Sequence, residues 1–324
     1  MKKPYLLVLF LFFFFFCGMQ ADEVKVLDEN TYSLAISPNG KYLVGYDPTK
    51  VQSGVGTESF VYDVGSGNLQ WVTTDDPEQW KTCGLFRDVN DAGTLCGSVK
   101  DLDHIIEFYG TSAPTNIAAI FENGKVVKLP YGNLDMAKIK QHEDGTFAAA
   151  LSNDGKVVAG YCKCSNFAFS YPCKWTRGAD NKWKMEKLPL PEGYEYGLAV
   201  NVSADGRIIV GLAIDRGRSI ACYWVDGKCK TVSSTNEDAE LAKKKQMRMI
   251  DMSPNGKYFI FTLSSRSDYR LFDVEKGTYR VLPTFERNES MRIPTVADNG
   301  DVFGAVTYGS AGMGVMSYRS FWYQ

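Results

Sequence analysis

The stretch AAALSNDGKVVAG (148–160) decides how this chain is read: a short apolar strand, a polar turn closed by Gly155, and a second apolar strand ending on Gly160. Asn-Gly and Asp-Gly dipeptides mark tight hairpins because their residues tolerate positive φ. The pattern recurs as SLAISPNGKYLVG (33–45), FRDVNDAGTLCG (86–97), AVNVSADGRIIVG (199–211), MIDMSPNGKYFIF (249–261) and IPTVADNGDVFG (293–304). The turn glycines Gly40, Gly93, Gly155, Gly206, Gly256 and Gly300 are 53, 62, 51, 50 and 44 residues apart. Repeats of this length belong to architectures in which each unit buries its apolar face against its neighbours.

Downstream of each hairpin comes an aromatic-rich strand, often followed by a tight turn and one more strand, as in AAIFENGKVVKLP and ACYWVDGKCKTV. Each unit therefore has four antiparallel strands, a to d, and four-stranded units of roughly 40–50 residues are propeller blades. The expectation is an all-β fold: a single six-bladed β-propeller over residues 22–324, with no long amphipathic helix competing. The sixth unit stops at strand c, in SFWYQ (320–324), while EVKVL (23–27) has the character of a d strand. The N-terminal strand is thus expected to pair with 317–323 and close the ring, removing an exposed edge that invites aggregation.

Units one and five, with ISPNGKYLVG…FVYDV and MSPNGKYFIFTLSSRSDYRLFDVEKGTYRVL, resemble TolB-type propeller repeats. Units three and four, with LSNDGKVVAG…KW and VSADGRIIVG…ACYWVDGK, are similar to the HAF-type extracellular repeat. The resemblance covers nearly all of residues 22–324 and rests on turn and blade-packing motifs. It implies a bacterial envelope or secreted propeller and transfers no catalytic residue.

Residues 1–21 have the order of a secretory signal peptide: Lys2 and Lys3, an apolar run from Tyr5 to Phe16, then small and polar residues to Ala21. Export follows, to the periplasm, the medium or the outer membrane, with no transmembrane segment after the leader is removed. Cys17 admits a second reading as a lipid-anchor site, disfavoured by the three phenylalanines before it. Without the leader, Lys plus Arg is 34 against 38 acids, so a nucleic-acid partner, which requires a basic balance, is excluded. A monomer is expected, with a glycan, peptide or envelope protein as partner.

Seven cysteines follow the leader, allowing at most three bridges. Cys162-x-Cys164 with Cys173 reads as a local disulfide or buried thiols, since a structural zinc site needs four ligands and no fourth lies nearby. Cys222 and Cys229 flank the Asp226-Gly227 turn, where Cys229 falls opposite Trp224 and a bridge would be only diagonal, so packing is expected. No metal and no cofactor are assigned.

In a propeller the a–b and c–d turns share one face, and the b–c loops and d–a connections share the other. The second face holds the length here: 46–59, 98–117, 161–172, 212–220, 262–268 and 305–316 between b and c, and 73–83, 130–146 and 232–247 between blades. Loops on rigid scaffolds carry function, so this is the candidate binding face. Tyr46, Asp47, Trp80, His104, Tyr131, His142, Tyr161, Asp215, Arg216, Arg218, Arg266, Asp268 and Tyr308 fall on it. Its aromatics suit sugar rings and its arginines suit carboxylates. Eight residues before each turn glycine stand Tyr32, Leu85, Phe147, Leu198, Arg248 and Arg292. Tyr32, Arg248 and Arg292 make a candidate anion-binding channel mouth, unless the arginines pair with acids such as Asp251 or Glu289. Short helices are expected over 134–144 and 236–248, the second from its Asn236 cap and early acids.

Glycan-active propellers use paired carboxylates, arginine clusters, a nucleophilic Tyr, or His with metal, and no spacing here singles out such a set. G-x-S-x-G, H-E-x-x-H and a P-loop are absent. The leading reading is a non-catalytic propeller that binds a ligand or protein through the long-loop face. The alternative is a glycan- or peptide-active hydrolase using carboxylates on that face.

Overall fold

In the computed structural model the described residues are 32–47, 58–72, 85–108, 110–134, 144–164, 166–232, 247–263, 268–283, 289–308 and 317–323. They are strand and turn throughout, with no helix among them. Strands β1 (Tyr32–Ile36), β2 (Tyr42–Asp47), β3 (Glu58–Asp63) and β4 (Asn68–Trp71) form one antiparallel sheet in chain order. Next come β5 (Phe86–Val89), β6 (Leu95–Phe108), β7 (Thr111–Glu122) and β8 (Lys125–Lys128), then β9 (Gly145–Leu151), β10 (Val157–Cys164), β11 (Asn166–Arg177) and β12 (Trp183–Lys187). Two further four-stranded sheets follow: β13 (Tyr196–Val202), β14 (Ile208–Asp215), β15 (Arg218–Val225) and β16 (Lys228–Thr231), then β17 (Met247–Met252), β18 (Tyr258–Leu263), β19 (Tyr269–Asp273) and β20 (Thr278–Val281). Strands β21 (Glu289–Val296), β22 (Val302–Tyr308) and β23 (Ser317–Tyr323) make a three-stranded sheet.

The expected units correspond to these groups of strands, with one departure. The second and third are fused into one eight-stranded sheet through a single parallel pairing of Asn116 with Gly145. Gly145 permits it: a Cβ there would lie 1.9 Å from the Asn116 carbonyl oxygen.

The repeated turn has a common chemistry. Ser37, Ser152, Ser203 and Ser253 are buried, and each hydroxyl donates to the Asn or Asp two residues on, at 2.6–2.9 Å. Each also accepts from the first amide of strand b, at 2.9–3.0 Å. Asn90 takes this place in unit two, accepting from Thr94 N at 2.9 Å. Short polar side chains stabilise turns by such bonds to nearby backbone.

Every a strand carries a register shift: Ser33/Ala35, Phe86/Asp88, Ala148/Ala150, Ala199/Asn201, Met249/Asp251 and Arg292/Thr295. These bulges explain the second glycine of the repeat. A Cβ on Gly45, Gly97, Gly160 or Gly211 would lie 1.9–2.4 Å from the carbonyl oxygen of Tyr32, Leu85, Phe147 or Leu198 respectively.

Neighbouring units are joined turn to turn. Asn39 N donates to Asp91 Oδ1 at 2.8 Å, Asn153 N to Ala204 O at 2.8 Å, Ala204 N to Pro254 O at 2.6 Å, and Asn255 N to Asp298 Oδ1 at 2.8 Å. Farther out, the indole Nε1 of Trp175 donates to Pro130 O at 2.8 Å and that of Trp224 to Pro189 O at 2.6 Å, each reaching the end of the preceding unit. Both indoles are buried, and one apolar core runs unbroken from Ala150 and Ala159 through Trp224 to Phe259 and Phe272.

Several expectations are corrected here. The stretches 98–117, 161–172 and 212–220 are mostly strand, not long loops, because β6/β7, β10/β11 and β14/β15 keep cross-strand partners almost to their tips. Arg216 (φ 45°) and Gly217 (φ 81°) turn the last of these in two residues. Met247 and Arg248 open β17 instead of ending a helix, since MRMIDM buries its first and last residues in a strand paired with β18. The remainder of both expected helices lies outside the described residues, apart from their flanks.

Candidate functional site

The polar cluster with the most chemistry among the described residues stands where β6 bulges at the long-loop end of unit two. Register shifts between Asp101, opposite Thr115, and Ile105, opposite Pro114, so residues 102–104 arch out of the ladder. The arch folds back over the Asp101 carboxylate, which is buried. Its Oδ1 accepts from Lys128 Nζ at 2.9 Å; its Oδ2 accepts from His104 Nδ1 at 2.6 Å and from the Tyr131 hydroxyl at 3.0 Å. Thr115 Oγ1, fully buried, lies 3.2 Å from that hydroxyl, and the His104 and Tyr131 rings meet edge to face at 5.3 Å.

Burial alone would push Asp101 up; the donors Lys128, His104 and Tyr131 outweigh it and hold the carboxyl below its ordinary range. Lys128 is likewise lowered by burial, but Asp101 and Asp103 more than offset this and raise it. Tyr131 is pushed well up by burial, with the Asp101 charge adding to the rise. An ionised carboxylate only accepts, so it is the Nδ1–H of His104 that donates in this contact, and Nε2 takes no part in it. The His104 side chain is 47% exposed while its carboxylate partner is 3% exposed, which makes an oriented imidazole at the surface on a buried anchor. Both oxygens of the buried Asp101 carboxylate are engaged by donors, so it holds His104, Lys128 and Tyr131 in place.

His104 was legible in the sequence as a residue of this face, and Tyr131 with it. Asp101 and Lys128 were not: KVVKLP reads as an outer strand, and it is the pairing of β8 along β7 that brings its last residue, Lys128, to the arch. The signal available was the close spacing of acids and His in Asp101-Leu-Asp-His104.

The other expected residues divide. Tyr32, 56% exposed, stacks on Tyr46 of the adjacent strand at 5.4 Å, and Tyr161 stacks on Phe147 at 5.2 Å in the equivalent place of unit three. Asp47 is buried at the end of β2. Asp215 and Arg218 face one another across a tight turn and form an ion pair, with Arg216 exposed between them. Asp268 pairs with Arg270. Arg248 is exposed on β17; the expected pairing with Asp251 is not made, because Asp251 Oδ2 accepts from Thr295 Oγ1 at 2.6 Å and Val296 N at 3.1 Å. Arg292 and Tyr308 lie on β21 and β22. Trp80, His142 and Arg266 lie outside the described residues. The structure therefore joins His104 to Tyr131, and Tyr32 to Tyr46, and gives the Asp215–Arg218 and Asp268–Arg270 acids local partners. Among the described residues no three His, Cys, Asp or Glu side chains are grouped to hold a metal ion. No helix among them is long and apolar enough to cross a membrane.

Compared by sequence, the chain matches no family profile and no curated protein. By structure its neighbours are TolB and other β-propeller proteins. A putative TolB from Agrobacterium tumefaciens is 13% identical, with 78% of this chain and 79% of that chain covered and a TM-score of 0.45. An oligogalacturonate lyase from Vibrio parahaemolyticus is 12% identical over 89% of this chain and 75% of that one, with a TM-score of 0.51. An acylaminoacyl peptidase from Pyrococcus horikoshii is 13% identical, with a TM-score of 0.52; the match covers 91% of this chain but only 45% of the peptidase. At such identities the likeness is one of fold alone.

Proposed function

We propose that this chain is an exported, closed six-bladed propeller that binds a ligand or protein partner through the face bearing His104, Tyr131, Tyr32 and Tyr46, without catalysing a reaction. The observation that carries this reading is Asp101: a buried carboxylate spent on fixing an imidazole, a phenol and an ammonium at the rim, an arrangement that pre-organises hydrogen-bonding groups for recognition. Six blades are supported by six repeats of one bulged a strand, and closure by β23, which pairs only with β22 among the described residues. EVKVL (23–27), the proposed closing strand, lies outside the described residues, as does the leader that supports export.

The alternative, a glycan- or peptide-active hydrolase, draws on the same His104 imidazole, since an Asp-anchored histidine is also a general-base arrangement. Names among the structural neighbours, a lyase and a peptidase, keep that reading in the test. The test is a thermal-shift screen of residues 22–324 against glycans, peptidoglycan fragments and peptides, with mass spectrometry on the same wells. A raised midpoint without product supports binding, because a ligand of the folded state stabilises it by mass action. A new product mass overturns the non-catalytic reading.

A further inference from the structure

The geometry points to a redox modification site at the long-loop end of unit three, where Cys162 and Cys164 are set to form a disulfide with each other. Alternate residues of a regular strand face the same side with Cα atoms about 6.6 Å apart, near the upper end of the roughly 4.4–6.8 Å that a disulfide spans. Strand β10 is not regular there: Cys162 pairs with Tyr171 but Cys164 with Asn166, so the ladder shifts between the two cysteines. The shift brings the Sγ atoms to 3.6 Å. Cys162 is fully buried and Cys164 half-buried, so the pair has one reachable sulfur and one protected sulfur.

Cys173 is the competing partner. It stands opposite Gly160, diagonal to Cys162, and its thiol donates to Tyr171 O at 3.3 Å. Diagonal cross-strand positions are farther apart than directly opposed ones, so the contact within the C-x-C segment is the shorter path.

The chemistry is thiol–disulfide exchange with an oxidised dithiol oxidoreductase or a small-molecule disulfide. The Cys164 thiolate attacks one sulfur of the oxidant and expels the other as a thiolate, leaving a mixed disulfide. The Cys162 thiolate then attacks Cys164 Sγ and expels the second oxidant sulfur. Two electrons and two protons pass to the oxidant, which leaves as a dithiol if it is a dithiol oxidoreductase and as two thiol molecules if it is a small-molecule disulfide. Bridging fixes the bent end of β10 beside Tyr161, a residue of the proposed binding face.

The experiment uses the purified full chain, exposed to oxidised glutathione, then unfolded in urea and alkylated with iodoacetamide so that buried thiols react as well, and digested with chymotrypsin. Cleavage after Tyr161, Phe167, Phe169 and Trp175 separates a peptide holding Cys162 and Cys164 from one holding Cys173. The expected result is a 162–167 peptide that is unalkylated and two hydrogens lighter than its dithiol, alongside an alkylated Cys173 peptide. The Cys164→Ser variant should leave Cys162 alkylated. A cross-link between the two peptides overturns the assignment in favour of Cys173. Full alkylation of all three cysteines overturns the site.

Discussion

Asp91 and Asn153 clasp each other across the junction of units two and three: the Asp91 amide donates to Asn153 Oδ1 at 2.9 Å, and Asn153 Nδ2 donates back to Asp91 Oδ2 at 2.8 Å. The second residue before a turn glycine thus serves its own hairpin less than the neighbouring one. Asn153→Ala removes both bonds and is expected to cost about 1–3 kcal/mol, read as a lower urea midpoint at unchanged m-value. A loss confined to a few tenths would show the clasp to be incidental.

Gly211→Ala probes the bulge. The new methyl would lie 1.9 Å from Leu198 O, a backbone atom that a rotamer change cannot move aside. Destabilisation of about 3 kcal/mol is expected, at the upper end of overpacking effects. Gly65→Ala, where the nearest atom is a flexible Asp63 oxygen at 3.4 Å, is the tolerant control in the same melts.

Asp88 supplies a pH signature. Burial pushes its carboxyl up to about 6, against the pull of the Leu151 and Val89 amides, and the like charge of Asp251 adds to the rise. The folded state therefore holds the proton more tightly than the unfolded chain, whose carboxyl titrates near 4. The cost of the charge is present above pH 6 and disappears as pH falls toward 4, so acidification from pH 7 to 5 stabilises through this group. Relative to Asp88→Asn, the wild type should gain on the order of 1–3 kcal/mol between pH 7 and pH 4.5. Parallel pH profiles for the two proteins would contradict this.

Trp224 ties unit four to the end of unit three by its Nε1 bond to Pro189 O at 2.6 Å. Trp224→Phe keeps most of the apolar surface and removes that hydrogen bond, whose acceptor sits on an exposed residue open to water, for an expected cost of about 0.5–1.5 kcal/mol. Trp224→Ala adds a cavity and should cost about 3–5 kcal/mol. Near-equal losses in the two variants would assign the whole effect to the hydrogen bond.

His104→Ala removes a side chain that is half exposed and is expected to change the melting midpoint little, while abolishing the shift given by any ligand found in the screen. Asp101→Asn acts differently: the new amide donates where His104, Lys128 and Tyr131 also donate, so both stability and the ligand shift should fall. A ligand whose shift survives both changes binds elsewhere.

The all-β repeat, its turns and the four-strand order were legible in the sequence because they are local. Ser-x-Asn/Asp-Gly makes its bonds within six residues, and alternation of apolar and polar residues assigns each strand its faces. Even the diagonal placement of Cys222 and Cys229 followed from counting back from the Asp226-Gly227 turn: Cys229 lies opposite Trp224 and Cys222 opposite Thr231. What only the tertiary structure decided depends on backbone approach between segments far apart in the chain. The second glycine gave no reason for itself until the bulge set the Leu198 carbonyl over Gly211, and the fusion of two units waited on Asn116 meeting Gly145. His104 was visible as a surface histidine, but its orientation is imposed by Asp101, Lys128 and Tyr131, whose convergence arises because an irregular arch and a returning chain end meet at one carboxylate. Periodicity encodes which face a residue takes; it does not encode where a ladder breaks.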